Sequence, residues 1–209
     1  MLPSIIDGIN SLSGNKYMKT LEFDSPVQLQ TERLLLRQWR LRDYSVFAEM
    51  NADPEVMRFF PNLLSSQESD EMADRIQTLI TAKGWGLWAL ERIEDERFLG
   101  FVGLHEPTHD FSFSPCVEIG WRLSRDTWGQ GYATEAAQAA LGFAFSQLQL
   151  NKVMSFTPQA NTRSMAVMER IGMYNTLQDF DHPALPAQHT LVRHSLYCIT
   201  VDQWRSWQA

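Results

Sequence analysis

The sequence predicts an α/β or α+β domain built on one mixed sheet of about seven strands. Three observations carry that expectation. From Val117 to Leu123, the apolar residues Val117, Ile119, Trp121 and Leu123 alternate with Glu118, Gly120 and Arg122, the period of a strand. That strand runs through the glycine loop Trp128-Gly129-Gln130-Gly131 into a stretch, Ala133 to Leu148, rich in Ala, Glu, Gln, Leu and Phe and free of proline, which reads as a helix. The overall order is strands first, then helix, strand, helix and strands, which implies a single sheet covered by helices.

The elements follow in order. Residues 1–27 mix Gly, Ser, Asn and Pro with little periodicity and read as an extension, with the domain at 28–209. Gln28 to Trp39 reads as the first strand. Asp43 is placed to cap a helix through Met50, and Asp53-Pro54 to start another that stops at Pro61. Ser65 or Ser66 caps a longer helix to Lys83, with Met72, Ile76, Leu79 and Ile80 as its apolar stripe. Trp85 to Glu91 and Phe98 to His105 form a hairpin around a charged turn. A loop, His105 to Pro115, leads into the Glu118 strand. Lys152 to Thr157 is a strand, and Arg163 to Ile171 a helix with Gly172 at its left-handed end. Tyr174 to Gln178 and Leu191 to Thr200 are the last strands, separated by the loop Asp179 to His189. Asp202 to Trp207 closes with a short helix.

Composition excludes several function classes. The chain has 209 residues, 44% hydrophobic and 21% charged, which suits a packed core. A net charge of −7 argues against a broad nucleic-acid surface and suits cationic substrates weakly. The seven tryptophans fall mostly in strands and core rather than on a stacking platform. No apolar run reaches the roughly 18 residues of a membrane span, and the first residues lack a secretory pattern. The two cysteines, Cys116 and Cys198, read as reduced core residues. A cytoplasmic protein without membrane or nucleic-acid partners is expected. His105 and His109 stand four apart, but Pro107 between them forbids the helix a metal pair would need, so no metal is expected.

The loop at Gly129 and Gly131 admits three readings. It can be a tight strand-to-helix turn. It can be a nucleotide loop, but the Lys-Ser/Thr pair of a Walker loop is replaced by Tyr132-Ala133, and the third small residue of a dinucleotide fingerprint by Thr134. Or it can hold the pyrophosphate of an acyl-CoA. Here the chain resembles the GNAT superfamily of N-acetyltransferases, whose signature is Gln/Arg-x-x-Gly-x-Gly/Ala. Gly131 and Ala133 fill the last two marked positions, and Trp128 stands where Gln or Arg is usual. The phrase TERLLLRQW, the pair Asn161 and Ser164 with Gly172 behind it, and DFDHPALP at 179–186 resemble the RimJ/RimL-like branch. The resemblance spans roughly Gln28 to Trp204.

The resemblance implies a GNAT fold with helices on both faces of the sheet, acetyl-CoA as co-substrate, and an amine acceptor such as a peptide N-terminus or a polyamine. It places the cofactor against the strand end Leu123, Ser124 and Arg125, the loop Trp128, Gly129, Gln130 and Gly131, and the helix start Tyr132, Ala133 and Thr134, with Asn161 on its arm. Arg125 is a candidate phosphate partner by charge. Glu118 is the first candidate general base, because it shares a strand face with Gly120, which leaves space beside it. His105 is the second. The tyrosine that many superfamily members use as acid would stand at Met168, which has no proton to give, so Ser164 is the candidate acid. Met57, Phe59, Phe60, Trp85, His105 and the loop 179–189 are candidates for the acceptor pocket. The rival reading is a non-catalytic acyl-CoA-binding or sensor module. A monomer or homodimer is expected.

Overall fold

A computed structural model describes residues 23–208. Among them are nine strands and five α-helices: β1 Leu29–Gln30, β2 Leu34–Arg37, α1 Leu41–Ala52, α2 Ser66–Lys83, β3 Leu87–Arg92, β4 Arg97–His105, β5 Glu118–Leu123, α3 Tyr132–Ser146, β6 Lys152–Pro158, α4 Thr162–Arg170, β7 Tyr174–Asn175, β8 Phe180–Asp181, β9 Arg193–Thr200 and α5 Val201–Gln208. The strands form one sheet in the order β1-β2-β3-β4-β5-β6-β9-β7, with β8 also on β9. Every pairing is antiparallel except β5 with β6, so the expected mixed sheet is present.

Two layers of helix cover the sheet. Ala136, Ala137, Ala140 and Ala144 of α3 are fully buried, because small side chains let this helix lie close to the strands. Its Phe143 meets Trp88 of β3 edge-on at 5.4 Å. On the other face, Phe47 of α1 packs on Trp39, Phe98 and Phe101. Met72, Ala73, Ile76 and Ile80 of α2 join them, while Leu79 is only half-buried. Most of the expected extension, residues 1–22, lies outside the described residues. Phe23 lies 5.9 Å from Phe143, and the Val27 carbonyl accepts from the Trp88 indole at 2.9 Å.

Three local expectations need correction. Residues 53–60 form turns, not a helix. Met57 N–H does reach the Asp53 carbonyl at 3.0 Å, but Leu64 N–H must bond back to Asn51 at 3.1 Å, and that reversal leaves no room to propagate a helix. Asp43 is not the cap of α1 but its third helical residue. The cap is Arg40, whose backbone N–H donates to Asp43 at 2.8 Å, and the Asp43 carboxylate also binds buried Arg37 in two hydrogen bonds, at 2.7 and 2.8 Å. The strand expected at 174–178 ends at Asn175, and a separate two-residue strand, β8, opens the loop expected at 179–189.

Candidate active site

The site begins where β5 and β6 separate. Their parallel pairing has one register position, Glu118 with Met154. Just beyond it the Ser155 hydroxyl donates to the Ile119 carbonyl at 2.9 Å. Ser124 N–H donates to Leu99 of β4 at 2.9 Å, so by antiparallel alternation the even-numbered residues of β5 bond to β4, and Ile119, Trp121 and Leu123 direct their backbone groups toward β6. The Leu123 carbonyl accepts from the Trp128 indole at 2.9 Å. The amide and carbonyl of Trp121 and the amide of Leu123 therefore line an open V between two strands.

The glycine loop closes the wide end of that V. Gly129 and Gly131 have φ of 75° and 82°, a left-handed backbone that side chains disfavour. A Cβ at Gly129 would meet nothing within 4 Å, so the loop borders open space. The first amide of α3 to bond back is Glu135, to the Gly131 carbonyl at 3.0 Å. The amides from Gly129 to Thr134 make no hydrogen bond to any described residue. Six free donors at the positive end of a fifteen-residue helix suit an anion. Arg125 is exposed beside the loop, and Arg163 from α4 lies 4.9 Å from the Trp128 ring.

The two candidate bases touch. Register pairs His105 with Glu118, and His105 Nε2 lies 3.2 Å from Glu118 Oε2. Burial raises the Glu118 carboxyl well above its usual 4.5, and burial, with nearby Lys83, pushes His105 down to about 4. The two side chains are thus in contact at a place where burial disfavours the charged form of each. His105 Nδ1 is buried without a hydrogen-bond partner among the described residues.

The same sheet face carries Phe101, Gly103 and His105 of β4 opposite Arg122, Gly120 and Glu118 of β5. A Cβ at Gly120 would have no neighbour within 4 Å. Phe60 packs on the Arg122 guanidinium at 4.0 Å. Phe59 is half-buried beside Arg58, at 5.7 Å, and Met57 is buried. Trp85 is a core residue with Lys83 over its ring at 5.6 Å, and Lys83 pairs with Glu106. Beyond Met154, the loop after β8 contributes His182 to a cluster with Phe111, Phe156, Phe180, His109 and His194. Ser164 stands in the first turn of α4. Asn161 caps that helix: its Oδ1 accepts from Ser164 N–H at 3.3 Å, and its Nδ2 donates to Ser164 Oγ at 3.0 Å and to Thr157 Oγ1 at 2.9 Å. Met168 is buried in the core. No three His, Cys, Asp or Glu side chains among the described residues form a metal-binding group. No described helix is long and apolar enough to cross a membrane.

The family described as the Acetyltransferase (GNAT) domain matches residues 33–174. The chain belongs to the GNAT acetyltransferase family. Among curated proteins, the uncharacterized protein YkkB of Bacillus subtilis is 30% identical over 163 residues, covering 77% of this chain and 94% of YkkB. An FsC-acetyl coenzyme A-N(2)-transacetylase of Aspergillus fumigatus is 30% identical over 166 residues, covering 75% of this chain and 68% of that protein. Among solved structures, Mycobacterium smegmatis RimJ in complex with CoA-disulfide superposes with a TM-score of 0.66 at 16% identity, over 88% of this chain and 95% of that one. This GNAT chain is an acetyl-CoA-dependent N-acetyltransferase. Its free loop amides and the open space at Gly129 fit the co-substrate's pyrophosphate.

One link between the family motifs was not visible along the chain. Glu135, in the first turn of α3, accepts from Thr31 Oγ1 at 2.6 Å, from Arg33 N–H at 3.0 Å and from Arg33 Nε at 2.7 Å. Arg33 Nη1 also donates to the Gln130 carbonyl at 3.1 Å, and the guanidinium lies 4.7 Å from the Tyr132 ring. The opening phrase Thr31-Glu32-Arg33 and the glycine loop are thus one clamped unit. Three residues with no assigned role on sequence grounds belong to the site's surroundings: Arg33, Arg122 and Arg163. The signal for Arg33 was its place in a family phrase. For Arg122 it was its place on the Glu118 face.

Proposed function

We propose that this GNAT enzyme transfers acetyl from acetyl-CoA directly to a primary amine, and that Glu118 removes the amine proton. Acetyl-CoA brings an activated thioester, whose C–S bond breaks as the C–N bond to the amine forms. The reading rests chiefly on one observation, the buried Glu118 carboxyl with raised basicity at the mouth of the β5–β6 gap. The amides of Gly129 to Thr134 hold the pyrophosphate, with Arg125 beside it. The free backbone groups of Trp121 and Leu123 pair with the extended arm, and Leu123 and Ser124 line its path. A donor there polarises the carbonyl as charge develops on oxygen. Glu118, ionised, takes the ammonium proton directly or through one water, with His105 Nε2 beside the carboxylate at 3.2 Å. The Ser164 hydroxyl, whose own proton has no acceptor among the described residues, returns a proton to the departing thiolate. Asn161 positions Ser164. The RimJ/RimL-like branch and a cytoplasmic setting belong to this reading, supported by the shared motifs and by the RimJ fold.

The test is thiol release from acetyl-CoA with a panel of peptide, polyamine and small amines. Release that depends on the amine supports the reading; binding without amine-dependent release across the panel opposes it. Two variants probe the parts. Ser164→Ala lowers kcat several-fold or more with little change in acetyl-CoA affinity, because a leaving-group donor acts as charge builds on sulfur; equal loss in binding and rate leaves Ser164 a helix-capping residue. Arg33→Ala weakens acetyl-CoA binding about tenfold, or ~1.4 kcal/mol, by releasing the loop from its clamp. Glu135→Gln acts in the same direction. Calorimetry on both variants decides, and unchanged affinity means the loop keeps its shape without the clamp.

A further inference from the structure

Two buried arginines rise from this sheet, and among the described residues only one has counter-ions. Arg37, on β2, is held by Asp43 at 2.7 Å and by Glu91 at 2.7 Å. Arg122, on β5, is 5% exposed and has no carboxylate within ion-pair distance among the described residues. Its Nη1 donates to the neutral Asn51 Oδ1 at 2.6 Å, its flat side rests on Phe60, and its Nε is buried without a partner among the described residues. Burial alone pulls the guanidinium down to about 9. A buried charge without an opposite charge is costly, and folds rarely retain one that nothing completes.

The surroundings point to what completes it. Arg122, Gly120 and Glu118 follow one another on the same face of β5, and the position above Gly120 is open. Four residues of strand place the Cα atoms of Glu118 and Arg122 about 13 Å apart on that face. One end of that gap holds a base for an ammonium. The other end holds a desolvated planar cation with an unused donor. Asn51, itself donating to Ser69 at 2.8 Å, fixes the guanidinium from α1, so its fork is pre-set rather than recruited from solvent.

We propose that Arg122 docks a carboxylate carried by the acceptor, so that the substrate class is an amine that is also a carboxylic acid. This rests on the reading of Glu118's face as the acceptor side. Polyamines, which bring only positive charge to a buried cation, are then poor acceptors. The carboxylate also fixes which amine of a larger molecule reaches Glu118.

The test uses the whole enzyme and matched acceptors. α-Amino acids (alanine, leucine, phenylalanine) and ω-amino acids (β-alanine, 4-aminobutanoate, 6-aminohexanoate) are each compared with their carboxamides in thiol release. The best carboxylate acceptor exceeds its carboxamide by at least about tenfold in kcat/KM, mostly through KM. Arg122→Gln collapses that ratio toward one through a loss of about 10²-fold on the carboxylate, and Arg122→Lys restores part of it. Carboxamides equal to or better than their acids in the parent enzyme overturn the proposal, whether or not the variants fold. Binding of the same acids to the CoA-loaded enzyme is measured by calorimetry in parallel. If no amine supports turnover, acid binding that Arg122→Gln removes keeps the anion site while the transfer reading fails. Acids that bind no better than their carboxamides remove the anion site.

Discussion

Glu118→Gln is expected to keep acetyl-CoA affinity and to lower turnover by about 10²-fold, the low end for the loss of one general base. A typical alkyl amine, with pKa near about 10, is almost wholly protonated near neutral pH and is not a nucleophile until it loses that proton. Glu118 sits at the one register position that β5 shares with β6, so rigid backbone rather than a mobile loop sets where its carboxyl stands. Burial raises its pKa, which makes the ionised form a stronger base than a surface glutamate. The sign of the pH dependence follows. The carboxyl must be ionised to act, so kcat/KM rises with pH through that raised value, and in Glu118→Gln this acidic limb moves or disappears. Burial and nearby Lys83 push His105 down to about 4, the opposite direction from Glu118, so the limb is assigned to Glu118. Glutamine is close in size and keeps a hydrogen bond to His105 available, so the variant changes charge and basicity with little repacking. Activity equal to the parent across pH 6 to 9 would transfer the role elsewhere, with His105 the next residue to change.

Gly131→Val and Gly129→Val are each expected to abolish measurable acetyl-CoA binding while the domain stays folded. Both positions hold a left-handed φ that a β-branched residue resists. At Gly129 the new side chain would project into the open space that faces the free amides. At Gly131 it would approach Arg33 Nη2, 3.4 Å from the Cβ position, and disturb the clamp on Glu135. The rest of the core is far from these atoms, so circular dichroism and melting should register only the local strain, of order 1–3 kcal/mol. Calorimetry with acetyl-CoA is the measurement, and unchanged affinity in the folded variants takes the loop out of the site.

What could be read along the chain divides by the range of the interactions involved. The hairpin β3–β4, the alternating β5 and the helix α3 follow from local periodicity, and each appears near its expected place. The glycine loop was legible for the same reason, since its shape depends on its own φ angles. The helix expected at 53–60 failed because the start signal of Pro54 is local, whereas the return bond from Leu64 to Asn51 is not. The end of the strand at Asn175 and the separate β8 depend on where β9 offers partners, which no local pattern encodes. In the site, Glu118 and His105 were separate candidates along the chain, and only the β4–β5 register brings them to 3.2 Å. Arg33 and Glu135 meet across 102 residues. Arg122 was visible as a residue on the right face. Its lack of a counter-ion among the described residues is a property of the whole fold, since Arg37 on β2 of the same sheet has two.

If the gap between β5 and β6 carries the acyl arm past Glu118, a structure of the full chain with acetyl-CoA will show it. The expected result is the pyrophosphate on the amides of Gly129 to Thr134, the arm paired with the backbone of Trp121 and Leu123, and the acetyl group within reach of the Glu118 carboxyl directly or through one water. A pyrophosphate bound away from the loop, or an arm that does not enter between the two strands, would contradict it.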